Sequence, residues 1–382
     1  MTLKERIDRT GPKKMLSMDG GGIRGVLSLA VLKKIETILA AGRRDFRLAD
    51  YFDYISGTST GAIIAAGLSI GMSVDEVLKF YRDSGAQMFV KSNLLARLSH
   101  KFEDEPLAQM LKNVFGAETT FGSDLLRTLL MVVMRNATTD SPWPLSNNPY
   151  AKYNDGSRPD SNLNFPLWQL IRASTAAPTY FPPEVVTLPN PDKSKEKSFI
   201  FVDGGVTMFN DPAFQMFMMA TLDRYWPKAP EKRWKAGAKD MLIVSIGTGS
   251  APNARGDLRT EDMNILYNAA SLPSALMFAA QNQQDTLCRV FGDCRAGDHI
   301  DSELGDLRSA AGPLGVGEKL FTYLRYDANL TREGLDALGC PQIAPAAVQK
   351  LDSIDGIPAL LEVGGKVGDK VMPEHFAGFP GS

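Results

Sequence analysis

The chain is poor in the residues that carry the commonest covalent and metal chemistry, with three histidines and three cysteines in 382 residues. Cys288, Cys294 and Cys340 are odd in number and form no CxxC pair. Neither a disulfide framework nor a zinc site is indicated, and unpaired thiols in or near the core are expected. Charge of one sign is also lacking, since 42 basic and 44 acidic residues give a formal net charge of -2. There is no field to attract nucleic acid or to hold the chain generally on an anionic surface, so DNA and RNA are not expected partners and any membrane contact must be local. No stretch approaches the roughly 18 to 20 uninterrupted apolar residues of a spanning helix, and MTLKERIDRTGPKK alternates charges where a secretory signal needs an apolar core. A soluble cytoplasmic chain is expected.

What is present is 44% hydrophobic, enough for a sizeable core, and it alternates strand and helix patterns. KKMLSM reads as a buried strand running into Asp19-Gly20-Gly21-Gly22-Ile23-Arg24-Gly25, and VLSLAVLKKIETIL has the apolar spacing of a helix. DYFDYIS, GTSTG and AIIAAGLSIGM repeat the unit as strand, turn and buried helix, and Ser73-Val-Asp-Glu76 is a capping box. LLMVVMRN, SFIFVD, MLIVSIG and LFTYLRY read as further strands between helical stretches. The pattern predicts an α/β fold in three layers, a mainly parallel central sheet flanked by helices. Residues 140–160, rich in Pro, Asn and Ser, read as a long surface loop, and PNPDKSKEKS as another. No linker is evident, so residues 13–300 are expected to form one domain, with 301–382 as a C-terminal extension packed on it.

Two glycine loops carry the candidate chemistry. Gly57-Thr-Ser59-Thr-Gly61 has the pattern of a nucleophile elbow, in which a strand turns so sharply into a helix that only glycines fit around the serine. The run Gly20 to Gly25 fits GxGxxG, so a dinucleotide-binding oxidoreductase is one reading. That fingerprint wants an acidic residue at the end of the second strand, where this chain has ISGTSTG. Acyl transfer uses both loops: Ser59 attacks, and the amides of Gly20, Gly21 and Gly22 stabilise the oxyanion.

The base is open on these residues alone. The order Ser, Asp, His would select His299 or His375, each in a polar, loop-like setting, while His100 follows a probable helix. Ser194 and Lys197 sit inside a charged loop. Asp203-Gly204-Gly205 ends the SFIFVD strand, and Asp203 serves as a base only if burial raises its pKa and Ser59 is within direct reach.

DGGGIRG, then GTSTG, then DGG, each at the end of a strand, resembles the patatin-like phospholipases from about residue 13 to about residue 250. The resemblance implies a serine and aspartate dyad without histidine: Ser59 as nucleophile in the elbow of Gly57 and Gly61, and Asp203 as base. Gly20, Gly21 and Gly22 form the oxyanion hole, with Arg24 adding positive charge. It implies hydrolysis of acyl esters in membrane phospholipids without metal or organic cofactor. FNDP at 209–212 departs from relatives that often carry two asparagines before the proline.

The layout is also similar to bacterial members that act as antiphage effectors, switched on by a cyclic oligonucleotide and acting at the inner membrane surface. A homo-oligomer is compatible with it, and a catalytically silent lipid-binding scaffold is the remaining alternative. QMFVKSNLLARLSHKF at 87–102 interleaves Met88, Phe89, Leu94, Leu95, Leu98 and Phe102 with Lys91, Arg97 and Lys101, as an interfacial helix or an ordinary packed one would. QMFMMA and ALMFAAQ suit an acyl pocket or plain core packing.

Overall fold

A computed structural model describes residues 2–88, 106–178, 180–188, 197–250, 259–260, 265–308 and 317–381. The strands are β1 (Lys13–Met18), β2 (Tyr54–Thr58), β3 (Leu129–Asn136), β4 (Ser141–Ser146), β5 (Glu184–Leu188), β6 (Lys197–Asp203), β7 (Met241–Ile246), β8 (Asp293–Ala296) and β9 (Thr322–Tyr326). They form one 9-stranded sheet in the order β5-β6-β3-β2-β1-β7-β9-β8, with β4 pairing β3 off this path. From β3 across to β8 every pairing is parallel, and β4, β5 and β6 add an antiparallel margin.

Alternation along the strands splits the core into two layers. Leu16, Ile55, Leu130, Val132 and Val244 face one side, under the helices Gly25–Ala40, Thr60–Ser69, Leu167–Ser174 and Ile357–Gly368. Met15, Tyr54, Met131, Ile243 and Tyr323 face the other, packed with Met216 of the helix Ala213–Thr221, with Trp226 and Trp234, and with Cys288 of the helix Ile265–Phe291. Strands buried on both faces read as continuous apolar runs, which is why the inner strands were plain in the sequence. All three cysteines are buried and free. Among the described residues no helix is long and apolar enough to cross a membrane.

A strand has two hydrogen-bonding edges, and those of β3 create the site. β4 runs antiparallel along Met131–Asn136 and fills one edge. The other is shared: β2 pairs with it in parallel up to Thr58 opposite Val133, and β6 comes antiparallel from the far end to place Asp203 opposite Met134. β2 and β6 therefore meet nearly head-on, and the residue after Thr58 is brought to Asp203.

Two expectations are corrected. SPWPLS, read as part of a loop, is β4. The turn at 137–140 is held by the Asn136 side chain, which accepts from the amides of Thr138 and Thr139 at 2.9 and 3.0 Å. Pro142 and Pro144 are tolerated because β4 pairs with β3 alone and a missing N–H can face away from the ladder. Residues 301–382 do more than pack on the sheet, since they supply β9, an inner strand between β7 and β8. His100, nearly all of the 87–102 stretch and most of PNPDKSKEKS and GPLGVGEK lie outside the described residues.

A chain ending at residue 300 would leave β8 without its neighbour and β7 with an open edge. It should lose the cooperative thermal transition of the full chain by circular dichroism; a cooperative transition near the full-chain temperature would contradict the interleaved sheet.

Candidate active site

Ser59 begins the helix Thr60–Ser69 with φ 55 and ψ -123, a conformation that costs a non-glycine residue on the order of 1–3 kcal/mol. The surroundings hold it there. Its amide donates to Ser174 Oγ at 2.9 Å, and Ser174 Oγ donates to the Val133 carbonyl at 2.5 Å, at the point on β3 where β2 gives way to β6. The tightness of the turn explains the flanking glycines: a Cβ on Gly57 would lie 2.0 Å from the Gly61 carbonyl oxygen.

Asp203 Oδ2 accepts the Ser59 hydroxyl at 2.6 Å, and Oδ1 accepts the Gly205 amide at 2.7 Å. The first glycine of DGG is needed because a Cβ on Gly204 would stand 2.3 Å from the Val133 carbonyl. Burial pushes the Asp203 carboxyl up to about 6, against the bonds from Ser59 and Gly205 and the charge of Arg172, all of which lower it. Serine and carboxylate are in direct contact with no imidazole between them. His375 instead bonds Tyr326 at 2.7 Å, His299 is exposed, and Lys197 is exposed at the start of β6.

The glycine loop after β1 stands beside Ser59. The Gly20 amide is already bonded to the Asn210 carbonyl at 3.1 Å, and its carbonyl accepts from Thr248 Oγ1 at 2.9 Å. Among the described residues no acceptor takes the amides of Gly21 or Gly22, so these are the donors available to an oxyanion. Asn210 is fully buried, and a Cβ on Gly20 would meet its Oδ1 at 2.4 Å and Ser59 Cβ at 3.3 Å. Arg24 follows the loop, also buried; desolvation lowers it to about 10, against the charges of Asp327 and Asp19, so it keeps its charge at neutral pH.

Beneath the loop lies a cluster that the motifs did not reveal. Arg325 of β9 donates to Asp19 at 2.9 and 2.7 Å, to Asp211 at 3.2 Å, to Asp327 at 2.9 Å and to Ser245 Oγ at 2.7 Å. Gln281 adds a bond to Asp19 at 2.8 Å. Burial alone would lower the guanidinium, but the three carboxylates keep it charged, while burial pushes Asp19 and Asp211 up. Asp211, the departure noted in FNDP, is thus the partner of a cation from the C-terminal part of the chain. The available signals were an arginine inside the apolar run LFTYLRY and the unusual aspartate. Ser174 and Thr248 gave none.

The patatin-like phospholipase family model matches residues 16–216. Patatin-17 of Solanum cardiophyllum is 31% identical over 245 residues, covering 62% of this chain and 60% of that protein. A cGAMP-activated phospholipase of Escherichia coli (strain TW11681) is 31% identical over 245 residues, covering 62% of each. The match thus spans about three fifths of the length of these curated relatives. The structure of human GIVD cytosolic phospholipase A2 aligns with a TM-score of 0.47 at 13% identity, covering 96% of this chain and 63% of that one.

Two stability predictions follow from the buried charges. Raising Asp203 from 3.8 to about 6 means that the folded state holds a proton the unfolded state has lost. Stability therefore falls as pH rises through that window, by about 3 kcal/mol in all. The Tm advantage of Asp203→Asn over wild type should grow between pH 4 and pH 7 and then level; a pH-independent difference would contradict the raised carboxyl. Arg325→Met strands buried carboxylates and should cost about 3–5 kcal/mol in urea unfolding. Asp211→Asn should cost less, because an amide oxygen can still accept from Ala213, which donates to Asp211 at 2.9 Å.

Proposed function

We propose, from the premise that this chain belongs to the patatin-like phospholipase family, that it is a lipid acyl hydrolase of the phospholipase A type. Its substrates are the acyl esters of membrane phospholipids. The observation that carries the reading is the 2.6 Å bond from the Ser59 hydroxyl to a buried carboxylate at the end of a neighbouring strand.

In this mechanism ionised Asp203 takes the Ser59 proton as Oγ attacks the acyl carbonyl. Its pKa of about 6 suits the role, since the carboxylate is largely ionised at neutral pH yet more basic than an ordinary aspartate. The tetrahedral oxyanion is held by the Gly21 and Gly22 amides, in a loop fixed by Gly20, with the charge of Arg24 close by. The N-terminal end of the helix Thr60–Ser69 adds a favourable dipole at the serine. Collapse releases the lysophospholipid oxygen, which takes the proton from Asp203 and leaves an acyl-Ser59. Water then attacks the ester, gives its proton to Asp203, and the fatty acid departs as Ser59 regains that proton.

A lipid substrate is further supported by the apolar surface beside the dyad. Met208, in the loop after Gly205, is 55% exposed. Met277 lies 3.7 Å from where a Gly205 Cβ would be, and its helix exposes Leu272 and Leu276 at 54% and 61%. The name of the Escherichia coli relative supports a finer reading, in which a cyclic oligonucleotide gates hydrolysis; action from the cytoplasm at the inner membrane surface is part of the same proposal.

Fatty-acid release from phospholipid vesicles tests the proposal. Ser59→Ala and Asp203→Asn should each lower the rate by at least about a thousandfold, whereas His299→Ala with His375→Ala should leave it unchanged. The wild-type rate should rise with pH through about 6, as Asp203 ionises. Wild-type release by Ser59→Ala would end the reading; release that appears only with added cGAMP would favour gating.

A further inference from the structure

At the edge of the sheet furthest from Asp203, the carboxyl ends of β8 and β9 open into a cleft of about 190 Å³, covered by the helix Ile357–Gly368 and the turn Pro373–Phe376. Clefts outside the carboxyl ends of strands are where open α/β sheets take ligands. This one is lined by Arg295, Arg308, Lys370, His375 and Tyr326, with Arg325 and Asp327 of the buried cluster at its wall. No step of the acyl-transfer mechanism uses it.

The donors and acceptors do not balance. Two carboxylates line the cleft, and both are already engaged. Asp298 accepts from Lys370 at 2.5 Å, and Asp327 accepts from Arg325 at 2.9 Å and from the amides of Gly249 and Ala328 at 2.8 and 2.9 Å. Against them, Arg308 donates from one Nη2 to the Arg295 carbonyl at 2.6 Å and has no ion pair among the described residues. Arg295 gives Nη1 to the Ala377 carbonyl at 2.7 Å and to the His375 carbonyl at 3.5 Å, and its Nε pairs loosely with Asp293 at 3.6 Å. A guanidinium carries five N–H donors, so most of these ten have no acceptor among the described residues.

His375 adds another donor. Its Nδ1 accepts from the Met372 amide at 3.3 Å and from the Tyr326 hydroxyl at 2.7 Å, and burial keeps that phenol protonated. The neutral ring therefore carries its proton on Nε2. Burial and the charges of Arg308 and Arg295 hold the imidazole below its ordinary value, against Glu374, as expected where positive potential is uncompensated.

We propose that this cleft is an anion site that takes a phosphate group through Arg308, Arg295 and His375. Its volume holds a phosphate with a short ester arm, and it is smaller than the roughly 300–1,000 Å³ typical of larger organic ligands. The phosphate belongs either to a small soluble phosphomonoester or to a lipid headgroup.

The test uses the full chain carrying Ser59→Ala, so that its result does not depend on hydrolysis. Inorganic phosphate and glycerol 3-phosphate are titrated by calorimetry, and the three histidines are followed by NMR. Binding of phosphatidylcholine vesicles with and without phosphatidic acid is measured by flotation. Saturable binding of the soluble anions, with an upward shift of the His375 pKa and about tenfold weaker binding in Arg308→Gln, supports a soluble ligand. Binding only to the phosphatidic acid vesicles, lost in Arg308→Gln, supports a headgroup. Arg308 is exposed, so this variant keeps the fold. No saturable binding in either arm, or binding that Arg308→Gln and the His375 resonance do not register, overturns the site.

Discussion

One edge of one strand governs the geometry of the candidate site. Because β4 fills the outer edge of β3, β2 and β6 must divide the inner one between them, and they do so at Val133 and Met134. That division sets the serine against the aspartate, leaves the Val133 carbonyl for Ser174, and forces a glycine at 204, where no side chain would fit. The contact of Ser59 with Asp203 is a product of sheet register before it is a product of side-chain choice.

The constraint also explains which parts of the site were readable beforehand. The elbow and the glycine loop are local: steric crowding within five or six residues demands glycines, and glycines are visible in a sequence. Asp203 was visible only as a carboxylate ahead of two glycines, because its meeting with Ser59 depends on two strands 144 residues apart sharing a third. Ser174 was silent, since a serine at the end of a helix signals nothing about the backbone it will reach. β4 was hidden by its prolines, which an edge strand accepts and a central strand does not. The inner strands, buried on both faces, were plain as apolar runs, but their order was not: nothing local in TYLRY says that it lies between β7 and β8.

The site is also held in tension with stability. The Ser59 backbone conformation is unfavourable, ionised Asp203 is unfavourable where it sits, and the carboxylates below the glycine loop would be intolerable without Arg325. Apolar packing on both faces of the sheet offsets these costs. Two of these features belong to Ser59 and Asp203, which are in contact, and the third lies under the loop beside them. The cation comes from a part of the chain that the family match does not reach, so the part that carries Ser59 and Asp203 is electrostatically incomplete by itself.

The position of β9 has a consequence in time. Among the described residues β8 pairs only with β9, and β9 is the last strand in chain order, so during synthesis β8 waits without a partner until residues 322–326 have emerged. Asp19, made more than three hundred residues earlier, waits equally long for Arg325. A nascent chain can bring Ser59 and Asp203 together while the glycine loop beside them still rests on carboxylates that lack their cation. The order of synthesis thus acts as a timer, delaying completion of the buried charge cluster until the sheet is complete.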